Sequence, residues 1–159
     1  MNWLAPSIIA TLAASVILTL VYVILYFKER RVALGLWSLA WIMACFRYLT
    51  ELVLLDHRGD GLFSLCSNLF SLLTALFLIW GSCSWANRRF WKGWILGTIL
   101  CGLWIIGSLA FRVNPLWAAW PTFFFTGAAF LITGILFLYT PHITGVAVGA
   151  AGTTVAGGL

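Results

Sequence analysis

Charged side chains are scarce in this sequence: Asp, Glu, Lys and Arg make up 8% of its 159 residues, against roughly a quarter in soluble domains. With 63% of residues hydrophobic, there is too little polar side chain to cover a surface facing water. That excludes a water-soluble globular fold. Lysine is absent from every apolar run, which excludes a retinal-type Schiff base within a span. No basic stripe with interleaved aromatics occurs, so nucleic acid is not expected as a partner. The four cysteines, Cys45, Cys66, Cys83 and Cys101, form no C-x-x-C pair. Each falls in or at the end of an apolar run and reads as a small buried hydrophobe.

Titratable groups are equally sparse. Apart from the arginines, lysines and cysteines they are Glu29, Glu51, Asp56, Asp60, His57 and His142, plus the tyrosines. The sequence contains no phosphate loop, zinc spacing or serine elbow. No catalytic residue, cofactor site or metal site is assigned, and an enzyme is not expected. Asp56, His57 and Asp60 sit close together, but such a turn is ordinarily just solvated, and it is read that way here.

What the sequence does have is long apolar runs. They cover about Pro6 to Phe27, Val32 to Leu55, Gly61 to Ala86, Gly93 to Phe111 and Leu116 to Tyr139. A helix needs about 20 residues to cross a bilayer core. The expected fold is therefore all-α: a polytopic membrane bundle of five transmembrane helices over residues 1–142. Residues 143–159 follow as a Gly/Ala-rich stretch with five glycines and no charge or aromatic. This stretch is read as the start of an incomplete sixth span, with a flexible tail or a poor full span as alternatives. The first run has no basic segment before it and is too long for a signal-peptide core, so it is read as an uncleaved span.

Loop charge sets the expected sidedness. Lys28, Arg30, Arg31, Arg88, Arg89 and Lys92 fall on one side of the five spans, and Arg58 and Arg112 on the other. The positive-inside rule places the first set in the cytoplasm of a plasma (bacterial inner) membrane and the N-terminus outside. His57 and His142 then lie on opposite faces and cannot share a site.

The second run, read here as the one around which the others pack, carries charge inside it. On a helix turning ~100° per residue, Trp37, Trp41, Ala44, Tyr48 and Glu51 share one face, with Arg47 beside it. An ionised pair in such a segment must face protein or water. In the third run, Ser64, Asn68, Ser71, Ala75 and Ser82 make a small and polar stripe, and Asn68 lies at a depth similar to that of Arg47. A buried polar cluster of Arg47, Glu51, Ser64 and Asn68 is expected, with snorkelling of Arg47 and Glu51 to the outer interface as the alternative. Trp37, Trp41 and Tyr48 form an aromatic face, expected to pack between helices rather than to enclose a ligand. Gly93-x-x-x-Gly97, and Gly127 with Gly134, offer close-packing faces for a neighbouring helix or for a homo-oligomer.

The order Tyr26-Phe27-Lys28-Glu29-Arg30-Arg31, then Leu36-Trp37-Ser38-Leu39-Ala40-Trp41, then Phe46-Arg47-Tyr48-Leu49-Thr50-Glu51-Leu52 resembles the N-terminal multi-span sensory region of bacterial signalling proteins. In those proteins such a block precedes PAS, diguanylate cyclase (GGDEF) or histidine kinase modules. The resemblance runs over about residues 6 to 145 in span order and loop charge, and rests on the W-x-x-x-W and R-Y-x-x-E features of the second run. It implies a sensory module without catalysis of its own, partnered by the bilayer and by a cytoplasmic output module that this chain does not contain. A small transporter or channel subunit using Arg47 and Glu51 in its pathway is the alternative.

Overall fold

The computed structural model describes residues 4–56, 61–111 and 113–139. Among them are five helices and no strand: α1 Leu4–Glu29, α2 Val32–Asp56, α3 Gly61–Trp85, α4 Gly93–Ala110 and α5 Pro115–Tyr139. All five are long and apolar enough to cross a membrane. The chain is an all-α helical bundle of membrane-spanning type. The tail 143–159, His57, His142 and most of the turn after Asp56 lie outside the described residues.

Two of the helix junctions are closed by residues other than glycine in the left-handed region. Arg30 has φ 56° and Asn87 has φ 54°. At the first, the Arg30 N–H donates to the Tyr26 carbonyl at 2.7 Å, and Val32 opens the next helix two residues later. At the second, the Arg88 N–H donates to Cys83 O at 2.8 Å and the Asn87 N–H to Ser84 O at 3.3 Å. That paired pattern is a Schellman cap, which satisfies carbonyls left over at a helix end. Asparagine tolerates the left-handed conformation better than most residues.

The centre of the bundle is α3 rather than α2. It packs against α2, α4 and α5, whereas α1 packs on α2 alone. Of the spanning window of α3, 44% is buried, against 6% for α1. The reason lies in side-chain size. Ser67, Ser71, Thr74, Ala75, Gly81, Ser82 and Cys83 are all buried on α3, and small residues let membrane helices approach closely.

The core divides into two halves along the helix axes. In the half that holds the α1–α2 and α3–α4 junctions, packing is apolar. Leu34, Trp37, Ala40 and Leu78 form one buried cluster with Tyr22, Tyr26 and Trp85 around it. Ala75, Ile79, Cys83 and Ala129 form the other, against Phe90, Trp94 and Phe125. Trp37 is the hub, with ring centroids 5.5 Å from Tyr22, 5.5 Å from Trp85 and 5.4 Å from Phe137. Its indole N–H finds no acceptor among the described residues. Gly81 lies directly against this ring, and Gly97 against Phe125 between α4 and α5. Gly93 meets its own loop's Trp91, while Gly127 and Gly134 have open space where a Cβ would stand.

Candidate polar cavity at the N-terminal end

The other half of the bundle, where α1 begins, α2 ends and α3 begins, holds the charged pair. Helical spacing of four residues puts Arg47 and Glu51 one above the other on α2. The Arg47 Nε–H donates to Glu51 Oε1 at 2.9 Å. Each side chain is about one quarter exposed, 28% for Arg47 and 25% for Glu51. The Arg47 guanidinium also lies over the Tyr48 ring, 5.4 Å from its centroid.

Two serines of α3 complete the pair's hydrogen bonding. Ser67 Oγ donates to Glu51 Oε1 at 3.2 Å, and Arg47 Nη1 donates to Ser71 Oγ at 3.3 Å. Ser71 Oγ in turn lies 3.4 Å from Thr126 Oγ1 on α5. A continuous polar chain therefore ties α2 to α3 and α3 to α5. Its members differ from four other buried hydroxyls of the bundle. Ser15, Ser38, Thr74 and Ser82 each donate to the carbonyl four residues earlier in their own helix. That back-bonding spends the hydroxyl proton within its own helix and leaves no donor for a neighbour.

The chain borders a partly open cavity of about 440 Å³. Its polar wall is Arg47, Glu51, Ser64, Ser67, Asn68, Ser71 and Thr122, and its apolar wall is Leu4, Ile8, Leu54, Leu55, Ala119 and Phe123. Thr122 is 2% exposed, and its hydroxyl has no hydrogen-bond partner among the described residues. A second cavity, between α1 and α2, is lined by Ser7, Thr11, Tyr48 and again Glu51. The glutamate therefore stands between two hollows. Deeper in the bundle, the next inward positions of α3 are Ala75 and Ile79, both 0% exposed and packed among apolar neighbours. The polar cavity ends there.

Of the four residues expected to cluster, Arg47 and Glu51 are in direct contact, and Ser64 and Asn68 line the same cavity. Among the described residues, neither the Ser64 nor the Asn68 side chain hydrogen-bonds to the pair. Asn68 Nδ2 donates to the Ser64 carbonyl of its own helix at 2.8 Å. Ser67 and Ser71 take the contacts instead, because they lie on the side of α3 that faces α2. The signal for this was present in the spacing. Ser64, Ser67, Ser71 and Thr74 follow one another at three, four and three residues, a hydroxyl stripe along one helix face. Thr122 and Thr126 had no charged residue near them in sequence to mark them.

The aromatic face of α2 is divided between the two halves. Trp37 is buried in the apolar half, Trp41 is half-buried, and Tyr48 lines the α1–α2 hollow. Among the described residues no group of three or more His, Cys, Asp or Glu is placed to hold a metal ion. Comparison with family models, with curated proteins and with solved structures finds no match to this chain.

Proposed function

We propose that this chain is a membrane-embedded sensory module, without catalysis of its own, whose N-terminal-side cavity receives a small uncharged amphiphile. The observation that carries this reading is the cavity itself, a polar hollow crossed by a hydrogen-bonded charge pair and closed below by apolar packing. The Arg47 and Glu51 charges offset one another, so a ligand with net charge would find no counter-ion and would be costly to bury. A ligand with a hydroxyl or carbonyl group and an apolar body matches both walls. Its occupancy would press on the Ser67–Glu51–Arg47–Ser71–Thr126 chain, which links three helices. Helix shifts of this kind are a recognised way for a local contact to be read at a distance.

With Lys28, Arg30, Arg31, Arg88, Arg89 and Lys92 in the cytoplasm, the cavity belongs to the outer half of a plasma-membrane protein. The resemblance to sensory regions ahead of PAS, GGDEF or kinase modules fits that arrangement, with the output module as the cytoplasmic partner. A transporter or channel subunit is the second reading. What favours it is that an ionisable pair lines a cavity in a spanning segment.

Two measurements on the full chain separate these readings. In a thermal-shift series with indole, short-chain alcohols and a truncated quinone, at least one probe should raise the melting temperature of the wild type. It should not do so for Asn68→Leu, whose larger apolar side chain narrows the cavity and removes an amide from its polar wall. In proteoliposomes with an internal pH dye, wild type and Glu51→Gln should both be proton-tight. A proton or solute flux that Glu51→Gln abolishes would make the protein a carrier.

A further inference from the structure

The two basic junctions at the opposite end of the bundle are used differently. In the α1–α2 junction the arginines are occupied within the chain. Arg31 pairs with Glu29 at 3.3 Å and lies over the Trp85 ring at 5.1 Å, and Arg30 lies over Phe27 at 5.6 Å. In the α3–α4 junction, Arg88 and Arg89 are exposed, and neither guanidinium has an ion pair or ring contact among the described residues.

These two arginines border a hollow of about 460 Å³ whose remaining lining is Trp80, Ser84, Asn87 and Phe90. No acidic side chain lines it. The Schellman cap at Asn87 ends α3 sharply and presents Arg88 and Arg89 in succession beside the helix end. Ser84 and Asn87 add neutral hydrogen-bonding groups. Trp80 and Phe90 stack at 5.2 Å with planes 21° apart and form an apolar wall. Trp80 is 39% exposed on a spanning helix, so this wall continues onto the lipid-facing surface.

We propose that this hollow is a binding site for the phosphodiester headgroup of an anionic phospholipid. Arg88 and Arg89 hold the phosphate oxygens, and the Trp80–Phe90 wall carries the glycerol and upper acyl chain. Guanidinium forks match phosphate geometry, and paired donors on one phosphate add both strength and orientation. A basic pocket at the membrane face of a helical bundle is the setting in which anionic headgroups are held. The apolar wall decides between a lipid and a free phosphate ion, since an inorganic anion gains nothing from it. The site is separate from the polar cavity and stands whatever that cavity binds.

The test is native mass spectrometry of the detergent-purified full chain titrated with phosphatidylglycerol or phosphatidylcholine. Wild type should retain phosphatidylglycerol about thirtyfold more strongly, on the scale of two arginines at a membrane surface. Arg88→Gln with Arg89→Gln should remove that preference. Lys28→Gln with Arg30→Gln, which removes equal charge from the other junction, should keep it. Because all four positions are exposed, the variants are expected to fold, and a melting curve with added phosphatidylglycerol should rise for wild type and for the Lys28/Arg30 variant only. Equal retention of the two lipids overturns the proposal, as does a preference that survives loss of Arg88 and Arg89. Equal loss in both variants would mark bulk charge rather than a site, and also overturns it. Added inorganic phosphate should leave the lipid bound; displacement by phosphate alone would identify a small-anion site and sink the lipid assignment.

Discussion

Arg47→Leu is expected to lower the stability of the bundle by about 2–3 kcal/mol. Removing one partner of a fully buried ion pair costs about 3–5 kcal/mol, because the remaining charge is left without compensation. Here the two side chains are 28% and 25% exposed, and partial access to water reduces the penalty. Among the described residues, Arg47→Leu leaves Glu51 with only the Ser67 hydroxyl as a donor and removes the Arg47 donor to Ser71. Glu51→Leu should cost a similar amount through the stranded guanidinium. The double replacement Arg47→Leu with Glu51→Leu should cost clearly less than the sum, since no charge is then left behind. Denaturant unfolding in detergent, followed by circular dichroism, measures all three. Melting of Arg47→Leu at the wild-type midpoint would mean that the pair does not hold α2 to α3.

The second large effect is expected at Gly81. A Cβ there would stand 2.6 Å from Trp37 Cδ1, 2.7 Å from Nε1 and 3.2 Å from the Ala33 carbonyl oxygen. Trp37 is 6% exposed and enclosed by Tyr22, Trp85 and Phe137, so it cannot swing away. The carbonyl is backbone and cannot yield without moving α2. Gly81→Val should therefore separate α2 from α3 at a cost of about 3 kcal/mol or more, the upper range for overpacking. Gly81→Ala should cost less. Its loss should shrink when combined with Trp37→Phe, which trims the indole. Gly127→Ala and Gly134→Ala provide the contrast. Both positions are open, and alanine favours a helix over glycine by about 1 kcal/mol, so either change should be neutral or mildly stabilising. An unchanged melting curve for Gly81→Val would contradict the close α2–α3 contact.

Helix number and extent were legible in the sequence because lipid imposes a length on each span, and apolar runs separated by basic or Pro-containing turns report it directly. Arg47 and Glu51 were legible for a related reason: charge inside an apolar run has to be accommodated by protein or water. Which serines accommodate it was harder to read. Asn68 matches Arg47 in depth, but depth along an axis does not fix rotation about it. The facing side of α3 is set by contact with α2, and that contact selects Ser67 and Ser71. The central place of α3 was missed because small residues give a weak apolar signal while permitting the closest approach. Gly81 illustrates this: it sits in no Gly-x-x-x-Gly motif, yet among the described glycines it alone meets a neighbouring helix's backbone. The α5 hydroxyls Thr122 and Thr126 join the site only through tertiary packing, which no local pattern announces.

The account rests on a bundle that is polar and open in one half and sealed by apolar packing in the other. Cysteine accessibility tests this most directly. In a background with Cys45, Cys66, Cys83 and Cys101 replaced by alanine, Asn68→Cys and Ile79→Cys are treated separately with a membrane-impermeant maleimide, applied to each face of the membrane in turn. The account predicts labelling of Asn68→Cys from the face that carries the N-terminus and from that face alone, with Ile79→Cys unlabelled from either. Labelling of Ile79→Cys, or protection of Asn68→Cys from both faces, would contradict it.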